Sequence, residues 1–336
     1  MEPHGDLLPL PQDGDLIPRA ANAPRAMTLG AVEYGLIALQ AILWGSTFFF
    51  IAIARQEVPP LTLSLARLVP SVLLLGVVVA AMGLRLPATW LDWRRMMVFG
   101  AMNNVLPFWL IIMAQREVTG GMAAIFMATA PLCALILAPW FIAEERFTWR
   151  RLVGILIGIA GVAVITGVGG VGGVGGASGS WRAQGMLLAA ALCYSGANIF
   201  ARKYFGGHHP FAVASSQTIA ALFLTLPAAL IFEQPWQLPN PTGAAWLSML
   251  IMGLAGSGLA PLCHFTVLQR AGPVNAMLAS IVVPVTPIIL GATFLNEHLG
   301  LRDLAGGSMI ALALVVIDGR VGSWALRGIA ATGKKS

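Results

Sequence analysis

The chain has 336 residues, of which 57% are hydrophobic and 10% charged, with a mean hydropathy of +0.81 and a formal net charge of +6. Soluble domains carry about 25% charged residues, so this composition excludes a water-soluble fold. The lysines and arginines are spread thinly between apolar runs, which argues against a nucleic-acid interface and fits positive loops on the cytoplasmic side of a membrane better.

Residues 1–32 precede the first long apolar run. Glu2, Asp6, Asp13 and Asp15 and the prolines from Pro3 to Pro18 are the opposite of the basic, then apolar, start of a signal peptide. A disordered cytoplasmic N-terminal tail is expected there. Runs of bilayer-spanning length, about 17–25 residues, then follow at 33–54, 62–82, 96–114, 119–143 and 150–167. In the first, Gln40, Trp44 and Thr47 fall on one helical face at i, i+4 and i+7. Arg67, in the second, is the one charge well inside a span, about 10 Å along the helix from Pro60. It reads either as a snorkelling or carbonyl-bound structural residue or as an attractor for a substrate carboxylate. In the third run Asn103 and Asn104 sit a turn before Pro107, and Pro131 lies inside the fourth. The fifth carries Gly154 and Gly158 at the spacing of close helix contacts.

The stretch ITGVGGVGGVGGASGSW, residues 165–181, contains the pattern G-x-G-x-x-G at Gly167, Gly169 and Gly172, and residues 168–182 form the expected linker. A phosphate-binding turn needs a strand before it and a helix start after it. Here a membrane helix precedes it, so it reads as a flexible extracytoplasmic tether. Five further runs follow at 183–202, 211–232, 243–268, 273–295 and 303–320, before a basic C-terminal tail at 321–336. Tyr194 and Asn198 are i, i+4 in the sixth; Ser257, Pro261 and His264 form a stripe in the eighth; Pro284 and Pro287 interrupt the ninth; Gly307 and Ala311 mark the tenth. Prolines inside spans point to broken helices around a cavity, or to kinked but closed packing. His264 is either a packing residue or a titrating one.

Ten spans put both termini on the cytoplasmic side, where 15 of the 20 lysines and arginines then lie. The two halves also resemble each other. Trp44-Gly45-Ser46 matches Tyr194-Ser195-Gly196, Pro60 matches Pro210 and Arg67 meets Gln217 at an offset of 150. Gly100 and Gly253, Pro131 and Pro284, Glu144 and Glu297, and Gly154 and Gly307 match at 153. The expected fold is therefore an all-α membrane protein of ten transmembrane helices in two inverted five-helix repeats, 33–167 and 183–320.

With Leu43-Trp44-Gly45-Ser46-Thr47-Phe48, Arg67 and the paired segments Ala130-Pro131 through Glu144-Glu145-Arg146-Phe147-Thr148 and Val283-Pro284 through Glu297-His298-Leu299, the chain resembles the drug/metabolite transporter superfamily, EamA type, over about residues 33–320. That resemblance implies a secondary transporter exporting amino acids, aromatic ones among them, or similar small metabolites across the cytoplasmic membrane by alternating access. Exporters of drugs or amphipathic cations and lipid flippases share the fold and are the alternative. The expected substrate-facing set is Gln40, Trp44, Thr47, Arg67, Asn103, Asn104, Tyr194, Asn198, Ser257 and His264, with Pro107, Pro131, Pro261, Pro284 and Pro287 as helix breaks. For each polar residue an interhelical hydrogen bond is the competing reading. The expected partners are a small-molecule substrate and the lipid bilayer. The fifth and tenth spans would be braced together or form a homodimer face. Cys133, Cys193 and Cys263 form no C-x-x-C, and His208-His209 have no acidic companion, so no metal, cofactor or enzyme activity is expected.

Overall fold

The computed structural model describes residues 30–141, 148–166, 180–271 and 273–318, and every regular element among them is helical. Both tails, the glycine run from Gly167 to Gly179, and Glu144-Glu145 lie outside the described residues. The helices are α1 (Ala31–Ala54), α2 (Pro60–Ala81), α3 (Trp90–Gly100), α4 (Leu106–Ala114), α5 (Gly120–Met127), α6 (Ala130–Phe141) and α7 (Trp149–Thr166). There follow α8 (Trp181–Phe205), α9 (Pro210–Phe232), α10 (Gly243–Ile251), α11 (Ala260–Ala271), α12 (Pro273–Val282), α13 (Val285–Phe294) and α14 (Leu301–Asp318). Two π-helical turns, Ala101–Val105 and Met252–Leu259, join α3 to α4 and α10 to α11. Counting joined segments as single rods, eight are long and apolar enough to cross a membrane. α12–α13, with a shorter apolar helix over Leu278–Phe294, and α14 lie at the positions of the ninth and tenth expected spans but are not among those eight.

Local chemistry sets the helix ends. Pro60 and Pro210 open α2 and α9, where the missing N–H costs nothing. Thr119, Ser180 and Thr242 cap α5, α8 and α10 by accepting the backbone N–H of Met122, Ala183 and Ala245. Side-chain contacts sort those ends into two faces. Glu57 reaches Thr242, Glu233 reaches Leu61 and Thr62, and Glu297 reaches Gly120. At the opposite end Glu33 pairs with Arg270 at 3.7 Å. We call these the Glu57 end and the Glu33 end. Trp181, Trp236 and Trp246 are exposed toward the first, and Trp90, Trp140 and Trp149 toward the second. Two such aromatic girdles are what a bilayer's interfaces select.

Small residues set how closely the helices approach. α7 lies along α14, and a Cβ added at Gly154 would meet Ile317, one at Gly161 the Gly306 carbonyl, and one at Gly306 Ile165. Gly158 faces Leu132 and Gly307 faces Ile125, so the glycine stripe is filled by neighbours within the chain. The central core joins Phe48 and Ile51 of α1, Leu63 of α2, Ile112 of α4, Phe126 of α5 and Leu187 of α8.

Candidate functional site: a polar seam between two π-helical turns

Pro107 and Pro261 have no N–H to return to the carbonyls of Asn103 and Ser257, four residues earlier. Each helix widens into a π turn just before its proline. Such turns are frequent at functional sites. α2 packs against the second of them, closely enough that Gly253 lies on the Arg67 carbonyl.

Arg67 bridges both turns. One of its terminal N–H groups donates to the backbone carbonyl of Asn104 at 2.9 Å, and the other donates to the Ser257 hydroxyl. The guanidinium carbon lies 3.5 Å from the centroid of the Phe108 ring, a cation–π contact that replaces some of the lost hydration. The residue is 3% exposed, and its Nε–H has no acceptor. No carboxylate pairs with it among the described residues. Tyr194, a neutral phenol on α8, lies near enough to interact with it.

The seam continues from there along α1. A Cβ added at Gly256 would meet the Thr47 hydroxyl. Trp44 and His264 have ring centroids 5.2 Å apart, and the Gln40 side-chain amide donates to His264 Nδ1 at 3.0 Å. That bond makes Nδ1 the acceptor and leaves the ring hydrogen on Nε2. The other amide atom, Gln40 Oε1, is buried without a partner. In the other direction Asn103 donates to Gln217 Oε1 at 2.9 Å. Gln40, Trp44, Thr47, Arg67, Asn103, Asn104, Ser257 and His264 thus form one polar seam, with Tyr194 at its edge. Asn198, one turn beyond Tyr194 on α8, is exposed.

The expected helix breaks divide into two kinds. Pro107 and Pro261 follow the π turns. Pro131 and Pro284 stand where a rod is interrupted, between α5 and α6 and between α12 and α13. There the Ala130 carbonyl accepts from the Ser195 hydroxyl at 2.7 Å, and the Val283 carbonyl lies against Gly45. Pro287 sits within α13 beside the same Gly45. Pro70, inside α2, packs on Gly253 and was not anticipated. Phe108 and Gln217 were also missed as site residues. Gln217 had a signal, its register with Arg67; Phe108 had none, because a ring beneath a cation on another helix leaves no trace in spacing.

A family model described as the EamA-like transporter family matches residues 32–167 and 181–318. The inner membrane transporter YedA of Escherichia coli K12 is 24% identical over 84% of this chain and 90% of its own length. Protein PecM of Dickeya dadantii is 23% identical, covering 82% of this chain and 88% of PecM. A protein of Streptantibioticus cattleyicolor named a "Probable terminal-alkyne amino-acid exporter" is 24% identical over 88% of this chain and 95% of that one. A solved crystal structure of 20% identity superimposes with a TM-score of 0.60 over 84% of this chain and 96% of that one, which supports the fold.

Proposed function

Since this chain belongs to the EamA-like transporter family, we propose that it exports amino acids or similar carboxylate-bearing metabolites across the cytoplasmic membrane, by alternating access between two inverted five-helix repeats. The observation that carries the substrate class is Arg67. A buried guanidinium costs several kcal/mol unless its charge is answered, and among the described residues the fold answers this one only with a carbonyl, a hydroxyl and a ring. A substrate carboxylate is the complementary group, and Arg binds carboxylates through two parallel bonds. The same charge disfavours amphipathic cations.

Three pairs of features support the repeat. The π turns at Ala101–Val105 and Met252–Leu259 and the breaks before Pro131 and Pro284 occupy matching positions in the two halves. Ser195 meets the Ala130 carbonyl where its counterpart Gly45 meets that of Val283. In this reading the Glu33 end faces the cytoplasm, both tails with it, and α7 and α14 would offer Leu156, Ile159 and Leu312 to lipid or to a second copy.

In proteoliposomes, labelled neutral amino acids are expected to exchange in counterflow, and sugars and amphipathic cations are not. Scrambling of a labelled lipid in place of amino-acid exchange would reverse the assignment in favour of a flippase. No carboxylate lies in the seam among the described residues, so the usual proton carrier of a coupled transporter is missing from it. In this reading export is facilitated or weakly coupled, and His264, bonded to Gln40, is the candidate titrating side chain of the seam among the described residues. Any dependence on a pH gradient is expected to be modest and to vanish in His264→Ala. A strong dependence that survives that substitution would overturn this reading of the coupling.

A further inference from the structure

We propose that Glu297 is the latch that holds the Glu57 end of the pathway shut, and that opening toward that side requires its bond to α5 to break. The proposal rests on the alternating-access reading. It starts from the turn Phe294-Leu295-Asn296-Glu297. The N–H groups of Leu295 and Glu297 both donate to the Gly291 carbonyl at 3.0 Å, and Asn296 takes a left-handed φ of 52°, which asparagine tolerates better than most residues. That turn folds Glu297 back over its own helix. A Cβ at position 291 would lie 2.4 Å from Glu297 Oε2, so the carboxylate takes this position only over a glycine.

From there the carboxylate crosses to the other half. Its two oxygens lie 3.3 and 3.2 Å from the N–H of Gly120, the first residue of α5. The N–H groups of a first helical turn have no partner within the helix and carry its positive dipole end. Arg55, at the end of α1, is close enough to attract Glu297 and to be repelled by Arg116. Burial lowers the Arg55 pKa, the Glu297 charge raises it again, and Arg116 lowers it further. The contact is tight: Gly120 lies on the Phe48 backbone, and Gly121 lies against Ile288 and Leu299.

What makes this a latch is where the two broken rods go next. α5 and α13 pack on each other at the Glu57 end. Beyond the breaks, α6 packs on α8 and α7, and α12 on α11 and α1. The rods are thus joined at one end and committed to different partners at the other. Glu57 and Glu233 also cap helix starts at this end, at 2.6 Å on Thr242 and 2.9 Å on Leu61. Glu233 acts where α2 and α9 already pack together, and Glu57 where α10 packs on α1 and α2, so each staples helices that are already joined along their length.

The test is a distance between spin labels on Arg116→Cys and His298→Cys, both exposed, in the full chain in nanodiscs with Cys133, Cys193 and Cys263 replaced by serine. A hydrogen bond to a charged group is strong enough that Glu297→Gln and Glu297→Ala should raise the ratio of separated to apposed tips at least about tenfold. Gly291→Ala, which displaces the carboxylate and leaves the charge, should do the same. Distance distributions of all three that superimpose on the parent's would overturn the latch. The readout needs no substrate. Unchanged distances would therefore remove the latch and leave the transport reading, and separated tips without amino-acid counterflow would do the reverse.

Discussion

Arg67→Met should abolish amino-acid counterflow, by about 100-fold or more, while the protein keeps or gains thermal stability. The two halves of that expectation come from the same burial. The guanidinium is 3% exposed and lacks a carboxylate among the described residues, and exchanging a poorly compensated buried charge for an apolar side chain of similar length is often neutral or stabilising by about 1–4 kcal/mol. Losing the group that answers a substrate carboxylate removes a charge-assisted, fully desolvated contact, for which about 2–5 kcal/mol is typical. Arg67→Lys keeps the charge but not the planar fork that spans the Asn104 carbonyl and the Ser257 hydroxyl. It should lose about tenfold, an intermediate effect. Counterflow and a melting curve on the same preparations decide the matter. Counterflow by Arg67→Met within threefold of the parent would sink the carboxylate role. A large drop in melting temperature with Met would instead make Arg67 a structural clamp.

Gly253→Ala should destabilise the protein by about 1–3 kcal/mol, the range for overpacking, and reduce transport with it. The new methyl would lie 2.5 Å from the Arg67 carbonyl oxygen and 2.3 Å from the Pro70 ring. Neither neighbour can swing aside, since one is backbone and the other a ring fixed to it. The π turn must move away from α2, and the Arg67–Ser257 bond across that gap lengthens. Two controls separate this from a general cost of filling glycines. Gly258→Ala meets the flexible tip of Leu74 and should cost less. Gly76→Ala has nothing within 4 Å and should be neutral or stabilising, by up to about 1 kcal/mol, because alanine is the better helix former. Equal melting temperatures for the substitutions at positions 253 and 76 would contradict the close approach.

Much of the site was readable because its residues are expensive. Hydrocarbon tolerates few amides, hydroxyls or charges, so Gln40, Asn103, Ser257, His264 and Arg67 stood out against their apolar runs, and all of them lie in the seam. Asn198 met the same test of polarity and spacing and is exposed on α8, since periodicity defines a face and not what the face meets. Prolines were legible as breaks for the same reason. Their products were not, because whether a missing N–H gives a π turn, as before Pro107, or an interrupted rod, as before Pro131, depends on how the neighbouring helices accommodate it.

By itself, the sequence settled the membrane class, the helical elements and the polar residues that do not belong in lipid. Those follow from quantities local to the chain: transfer free energy per residue, helix length against bilayer thickness, and the hydrogen bonds a proline cannot make. Only the tertiary structure decided that Arg67 joins both π turns, that Phe108 lies beneath it, and that Glu297 crosses to Gly120 rather than ending its helix in water. Each of these is a contact between residues distant in the chain; Gly253 lets α2 approach the second π turn, Gly120 lets α5 lie on the Phe48 backbone, and Gly291 leaves room for the Glu297 carboxylate. Such an approach is a property of two surfaces together, and no pattern within one of them specifies it.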